Sequence, residues 1–414
     1  MLYNQPLDQP TNSNAGYVDG NPAAGIQGSI VPAASIEFDQ REIVEVITRA
    51  NLRAYTDFTG TPCASPSNSD LTQLRKAIEG YIQSWVIDTV VTFTVHGTGA
   101  NFPDLIAAMA YLSKYRITNN GFVTLLISGS TSGVATRWTY NKTVTIEHPN
   151  SDRINIRGVN MIGPPVLGTD FVYTGNRGQD AAAQLTMLRG RFGSELYFTS
   201  GAYINVNGSL GFGGAPNPGY PGLSNLLISS DGSVNSGGIA INNAYMSIGN
   251  VAVQNTYLGI ISNNSYFWTT WDFVSASGNY LWGFEFQGCM ALGATQTIAC
   301  SNINGSGWII QVGSSIRQGG NYIVYAKGNN GAGIYCMAGG SAMCNGSQFL
   351  NNANYGVNVS QGQIACYNSN FSGNGGGPMV AQQGGGIAAN GSTGTAGSSP
   401  AVNTQGNAFA WITA

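Results

Sequence analysis

Gly238-Ile239-Ala240-Ile241, Gly259-Ile260-Ile261-Ser262, Gly283-Phe284-Glu285-Phe286, Gly307-Trp308-Ile309-Ile310, Gly333-Ile334-Tyr335-Cys336 and Gly356-Val357-Asn358-Val359 are copies of one phrase. They start 21, 24, 24, 26 and 23 residues apart. A looser copy, Gly386-Ile387-Ala388-Ala389, follows 30 residues after the last. A second register runs alongside. Cys344, Ser347, Phe349 and Asn352 stand 22 residues before Cys366, Ser369, Phe371 and Asn374. Asn330 precedes Asn352 by the same step, and Cys300 precedes Cys344 by twice it. Self-similarity at this period marks a solenoid. Alternation within each phrase marks strands rather than helices. Stacking like on like would place Ile239, Ile260, Phe284, Trp308, Ile334 and Val357 in one interior ladder. Asparagines, tolerant of left-handed backbone, suit the corners. The Leu-x-x-Leu-x-Leu phrase of leucine-rich horseshoes is missing.

Composition fits a coil of this kind. Glycine supplies 58 of 414 residues, about twice the ~7% of average proteins. Charged residues make up 8%, against about 25% in ordinary proteins. After Gly201 the only ionisable Asp, Glu, Lys and Arg residues are Asp231, Asp272, Glu285, Arg317 and Lys327. That half must rely on backbone hydrogen bonds, apolar packing and neutral polar side chains. A net charge of −3 implies no basic surface for nucleic acid. No run of eighteen apolar residues exists, so no membrane span is expected. Met1 to Pro10 is polar without an apolar h-region, and synthesis in a cytoplasm is expected. The six cysteines follow no zinc-like spacing and are expected as free, buried thiols. No metal or cofactor is expected.

Ahead of the repeats, residues 1–34 form an arm rich in Asn, Pro, Gly and Gln. Ile36, Ile43, Val46 and Ile47 recur at helical spacing behind Ser35 as a cap. Glu37, Asp39 and Glu42 lie early and Arg49 and Arg53 late, as the helix dipole favours. A second helix is predicted from about Ser69, with Leu71, Leu74, Ile78, Tyr81 and Ile82 as its apolar stripe. Two such short helices bury little alone, so they are expected to pack across subunits or on another protein. The ordered series Val31-Pro32-Ala33-Ala34, Gln40-Arg41-Glu42-Ile43, Val46-Ile47, Pro66-Ser67-Asn68-Ser69-Asp70, Gln73-Leu74 and Ala77-Ile78 resembles the N-terminal motif of phage tail-fibre proteins. It departs from that motif at Tyr55 to Cys63, which stand as an insertion. The resemblance implies a virion protein, assembled in the host cytoplasm, whose Ile43, Val46, Ile47, Leu71, Leu74 and Ile78 attach it to other tail or head proteins. It also implies a homotrimer, which would protect strand edges.

Val90, Val91, Phe93 and Val95 then suggest a strand, and Phe102, Leu105, Ile106, Met109 and Leu112 a helix capped by Asn101 with Pro103 in its first turn. Strands at 122–127, 144–146 and 154–156 follow. This order resembles the start of pectate-lyase-like coils, and implies a mainly β fold, a right-handed parallel β-helix with a short helical N-terminal attachment region. The helix would cap the open end of the apolar interior. The expected divisions are an arm at 1–34, helical attachment at 35–95, a capping helix at 96–120, the coil at 121–375 and a Gly-rich tip at 376–414.

Function follows less directly. The resemblance to tailspikes on this fold raises a polysaccharide depolymerase, whose hydrolysis needs two acids flanking the bond. Asp272 and Glu285 are the candidate acids. Their 13-residue separation puts them on different walls or in a loop. Glu285 would point outward if Phe284 and Phe286 point inward. Asp231 sits in a Gly-Ser turn, where Asp commonly bonds its own backbone. His96 and His148 are expected in turns or at the surface. Tyr266-Phe267-Trp268-Thr269-Thr270-Trp271-Asp272 packs four aromatics into seven residues. Tyr266, Trp268 and Trp271 could offer faces to sugar rings and Asp272 a carboxylate to hydroxyls, or two of the aromatics fill the core and two join subunits. Trp282 and Tyr280 fit either reading. The preferred reading is a structural fibre or spike that binds a host-surface polysaccharide or receptor. The depolymerase is the alternative.

Overall fold

The computed structural model describes residues 21–28, 33–53, 61–62, 65–66, 72–159, 161–167, 169–208, 210–212, 222–293, 296–318, 323–394 and 402–411. It divides into two compact units, Met1–Ile87 and Asp88–Ala414.

In the first unit, α1 (Ala33–Leu52) and α2 (Gln73–Gln83) pack on each other within one chain. Ile47, Ala50 and Ala77 are buried at the contact, and Val46, Leu74 and Tyr81 close around them. The expected cap Ser35 lies inside α1, and α2 starts at Gln73, four residues after the expected Ser69. Arg49–Glu45 and Arg75–Glu79 form i,i+4 ion pairs at 2.6 Å. Of the expected attachment residues, Ile43 and Ile78 stay exposed, Val46, Ile47 and Leu74 serve the helix contact, and Leu71 is outside the described residues.

The second unit is a parallel β-helix with three faces. Face C is a ten-stranded parallel sheet running from Val144–Ile146 to Val402–Gln405. Face A begins with Val90–Val95 on Phe122–Ile127 and ends with Phe409–Trp411 on Gly386–Ala388. Face B begins with Thr136–Tyr140 on Ser194–Phe198 and runs through Gln296–Cys300 and Val324–Lys327 to Gln348–Leu350. Faces A and B merge into one sheet because Tyr245–Gln254 and Tyr266–Ser277 run through the corner between them. The coil therefore starts before residue 121. It also continues past 375, where the strands Gly377–Gln382, Gly386–Ala388, Val402–Gln405 and Phe409–Trp411 replace the expected tip.

The repeated phrase forms face C. Ile239, Ile260, Phe284, Trp308, Ile334 and Val357 are register partners in that order, and all are buried. Phe284 stacks on Trp308 with ring centroids 4.1 Å apart. The glycine before each ladder residue has a steric cause. A Cβ on Gly238, Gly259, Gly283, Gly307, Gly333 or Gly356 would meet a carbonyl oxygen of the next turn no farther than 2.7 Å away. The looser phrase at Gly386 belongs to face A instead, paired with Gln363–Ala365.

Corners carry the second register. Residues with positive φ recur where one face gives way to the next, as at Asn243, Asn264, Gln361 and Gln383 between faces C and A. Between faces B and C an asparagine column runs Asn279, Asn302, Asn329, Asn352, Asn374, buried in all but the last. The backbone N–H of Asn329 donates to Asn352 Oδ1 at 3.1 Å, and that of Asn352 to Asn374 Oδ1 at 2.9 Å. Asn329, and not Asn330, is thus the partner of Asn352. Ser347, Ser369 and Ser392 make a like column between faces A and B, and Phe349 stacks on Phe371 at 5.2 Å. Cys344 stacks toward Cys366, whereas Cys300 lies on face B. The five described cysteines are free and buried, and burial pushes the Cys300 and Cys336 thiols up to about 12.

Two helices decorate the coil. α3 (Leu105–Leu112) buries Leu105, Ala108, Met109 and Leu112. Its cap is Asp104, which accepts from Ala107 N at 2.7 Å, while Asn101 accepts from Thr94 N instead. Both histidines lie in turns, one of the two placements expected, and both are buried. His148 Nε2 donates to the carbonyls of Leu112 and Tyr115, closing the end of α3. His96 stacks on Trp138 at 4.5 Å, and burial lowers its pKa. α4 (Arg177–Arg189) belongs to an insertion between two coil strands, Ile154–Gly158 and Ser194–Phe198. It covers the outside of face B, where Phe171, Leu185, Leu188 and Phe192 bury Leu227, Phe273, Ile298 and Tyr325. Beneath it, Glu195 is 1% exposed. Its carboxylate accepts from Arg189 at 2.8 and 3.0 Å, from Arg137 at 3.3 Å and from the Ser229 hydroxyl.

Two outcomes follow for stability. Glu195→Ala removes the carboxylate that accepts from two partly exposed guanidinium groups and from Ser229, and should lower unfolding free energy by about 1.5–3 kcal/mol in chemical denaturation. A loss under about 1 kcal/mol would show that this cluster does not hold α4 to the coil. Asn352→Ala strands the buried N–H of Asn329, and should lower it by about 1–3 kcal/mol.

Candidate functional site

Each face of a coil shows alternate side chains to the interior and to the outside. On face A the strand Tyr266–Ser277 begins with Phe267 at 1% exposure and Thr269 at 2%, while Trp268 is 37% exposed. Phe267 and Thr269 thus point inward, and Tyr266 and Trp268 point outward. Tyr266 stacks on Tyr245 of the preceding turn, with centroids 4.8 Å apart and planes within 5°. Burial, with Tyr266 alongside, holds the Tyr245 phenol above its usual pKa. The Trp271 side chain lies outside the described residues.

The same outer columns continue along the coil. Tyr266 pairs in register with Met290, then Ser315, Ser341 and Gln363. Trp268 pairs with Leu292, then Arg317, Met343 and Ala365. Serines thus follow the large side chains of the first column, whereas the second keeps Arg317 and Met343 before it falls to Ala365. A groove of about 390 Å³ results, floored by Ser315, Ser341, Ala365 and Ala388 and closed at its far end by Phe409. Arg317 is the one charged residue in its lining. Phe409 ends the face as a register partner of Gly386, where a Cβ would meet the phenyl ring.

The candidate acids do not meet. Asp272 is exposed at the corner between faces A and B, where its backbone N–H donates to Asn250 Oδ1 at 3.1 Å and its carboxylate accepts from Asn250 Nδ2 at 3.4 Å. Glu285 stands on the outside of face C, between the inward Phe284 and Phe286, yet is only 7% exposed. Its Oε1 accepts from Gln287 Nε2 at 2.6 Å and Gln311 Nε2 at 2.8 Å. It is a pinned structural acid on a different wall from Asp272. Asp231 accepts from Ser233 N and from the Ser233 and Ser236 hydroxyls, as a turn residue does. These bonds outweigh burial and lower its pKa. Tyr280 is exposed and stacks on Tyr257 at 5.3 Å, at the corner between faces B and C. No group of three or more His, Cys, Asp or Glu is placed to hold a metal ion among the described residues.

The aromatic strip was visible in the sequence. The groove was not, because its floor is built from single small residues on separate turns.

No family model matches the chain, and no curated protein sequence matches it. Among solved structures it is similar to the A-module of the Azotobacter vinelandii mannuronan C-5 epimerase AlgE4, with a TM-score of 0.43 and 11% identity over 74% of this chain and 88% of that one. The AlgE6 A-module from the same organism gives 0.32 and 11%, over 74% and 93%. The catalytic domain of a GH87 alpha-1,3-glucanase in complex with nigerose gives 0.32 and 10%, over 85% and 68%. The likeness is one of fold, the mainly β parallel coil that the strand pairing already defines.

Inward and outward positions make opposite demands. Phe267→Ala should cost about 3–5 kcal/mol of unfolding free energy. Trp268→Ala, one residue on, should stay within about 0.5 kcal/mol of the parent. Equal losses would overturn the assignment of Trp268 to the outer surface.

Proposed function

We propose that the chain binds an extended polysaccharide along the outside of face A. In this reading the coil is the receptor-facing rod of a virion fibre or spike, and the α1–α2 segment attaches it to the particle. The observation that carries the glycan reading is the succession on one face of stacked Tyr245 and Tyr266, exposed Trp268 and a long shallow groove. Aromatic faces suit the apolar faces of sugar rings, and exposed phenol and hydroxyl groups suit their hydroxyls. A rigid sheet holds these groups in place before the ligand arrives, which reduces the ordering cost of binding. The virion reading rests on the N-terminal series from Val31 to Ile78, and on Ile43 and Ile78 staying exposed on the packed helices. A homotrimer accords with it, since three copies would cover exposed apolar surface.

A depolymerase on the same scaffold is the second reading. Asp272, exposed and steadied by Asn250 four residues beyond Trp268, favours it. Hydrolysis by paired acids needs a second carboxylate across the bond. Glu285 does not supply it within one chain, so a second chain would have to.

Mixing the purified protein with surface polysaccharides of candidate hosts, and following binding and chain length together, tests both. Binding with unchanged chain length, weakened about tenfold or less by Tyr266→Ala or Trp268→Ala, is the expected result. Shortened chains, with cleavage abolished in Asp272→Asn, would replace the binding rod by the depolymerase. Binding that both aromatic variants retain in full would remove the ligand from face A.

A further inference from the structure

The groove on face A holds one charge, and its setting makes that charge informative. Arg317 is one of five ionisable Asp, Glu, Lys and Arg residues after Gly201. Of the other four, Asp231 is tied into a turn, Glu285 is clasped by two glutamines on face C, Lys327 lies on face B and Asp272 marks the far corner of face A. Arg317 is exposed on the groove side of its strand, in register between Leu292 and Met343, and makes no ion pair among the described residues. Its neighbours in the groove offer hydroxyls, the Gln363 amide and apolar atoms, and no carboxylate. A guanidinium stays charged at every working pH, and its planar fork matches a carboxylate or sulfate with two parallel hydrogen bonds.

We infer that the ligand of face A is an acidic polysaccharide, and that Arg317 selects it by pairing with one anionic group of the chain. This rests on the glycan reading above and names its substrate class. The position fits. Adjacent strands in a sheet lie about 4.8 Å apart, so the groove from Ser315 to Phe409 is about 19 Å long. Arg317 stands at its inner end, between the aromatic rungs and the small-residue floor. A chain lying along the groove meets neutral partners over most of its length and one cation at a defined place. Specificity for charge then comes from one residue, while stacking and hydroxyl contacts supply the rest.

The test uses the full chain with two probes, a linear polyuronate and the same polymer with its carboxyl groups reduced to alcohols. The parent protein should bind the polyuronate about tenfold more tightly, and the preference should shrink as salt rises, because exposed charge pairs are screened. Arg317→Gln should bind both probes alike, at the level the parent shows for the reduced polymer. Arg317→Lys should keep part of the preference, since it retains the charge without the fork. An unchanged thermal unfolding midpoint in both variants shows that the coil is intact. Equal binding of both probes by the parent would overturn the acidic class and leave glycan binding standing. So would an undiminished preference in Arg317→Gln. Binding of neither probe by the parent, with Arg317→Glu changing its sedimentation coefficient, would assign face A to a second copy of the chain and remove both readings.

Discussion

The coil depends on a place where no side-chain atom fits. Before each ladder residue of face C stands a glycine whose Cβ would strike a carbonyl oxygen of the next turn. The close approach fixes the axial position of every turn, because a slip by one residue would drive a Cβ into that carbonyl and turn the ladder residue outward. Once the turns are locked, the apolar ladder and the asparagine column come into register by themselves. Each asparagine Oδ1 takes the backbone N–H of the preceding turn at a corner where no strand partner is available. Backbone N–H groups at the corner are thus paired by neutral amides.

This lattice explains where the charges went. A repeated turn stacks each residue on its own likeness, and like charges stacked a few ångströms apart repel. Neutral amides and hydroxyls stack favourably, as Asn205, Asn242 and Asn263 do on the outside of face C. Charge is useful where a non-repeating element must be fastened to the lattice. Glu195 with Arg137 and Arg189 does this under α4, and Asp170 with Arg191 does it in the loop before that helix. Arg177 reaches from α4 to the carbonyl of Gly328 at 2.8 Å, tying the helix to a turn far along the chain. The crowding of 30 of 35 ionisable residues into the first 200 positions thus follows from where helices and caps lie.

What could be read from the sequence divides along the same line. Much of what repeats was legible, including the face C ladder and the matched Phe349 and Phe371. Single features were misread by one position or one face. Asn330 stood in for Asn329, since a spacing of 22 looked regular while the turns vary in length. Gly386 looked like a seventh face C phrase, because a Gly-Ile pair carries no mark of its wall. α4 was missed altogether. Its buried face includes Asp180 and Gln184 beside Ala181, Leu185 and Leu188, so it shows no clean apolar stripe. Asp180 is buried because it binds Thr174, and Gln184 because it meets Ser301 across the contact, neither of which leaves a signal in local periodicity. The outward Tyr266 and Trp268 were within reach of alternation alone. Arg317 and the groove floor were not, because their meaning lies in neighbours a full turn away.

The three faces differ in what they leave for a partner. Face B is covered by the insertion, and the outside of face C carries self-satisfied amides with Glu285 held among them. Among the described residues, face A alone passes from stacked aromatics to an open floor on the same register columns. A surface built on the strand spacing suits a partner that also repeats, because each added unit meets a further turn at the same interval. Affinity then accumulates from modest contacts over several turns, and no single turn needs a deep pocket. Such a face needs rigidity more than chemistry. The glycine column and the asparagine column provide that rigidity, and they leave the outward positions free to differ from turn to turn.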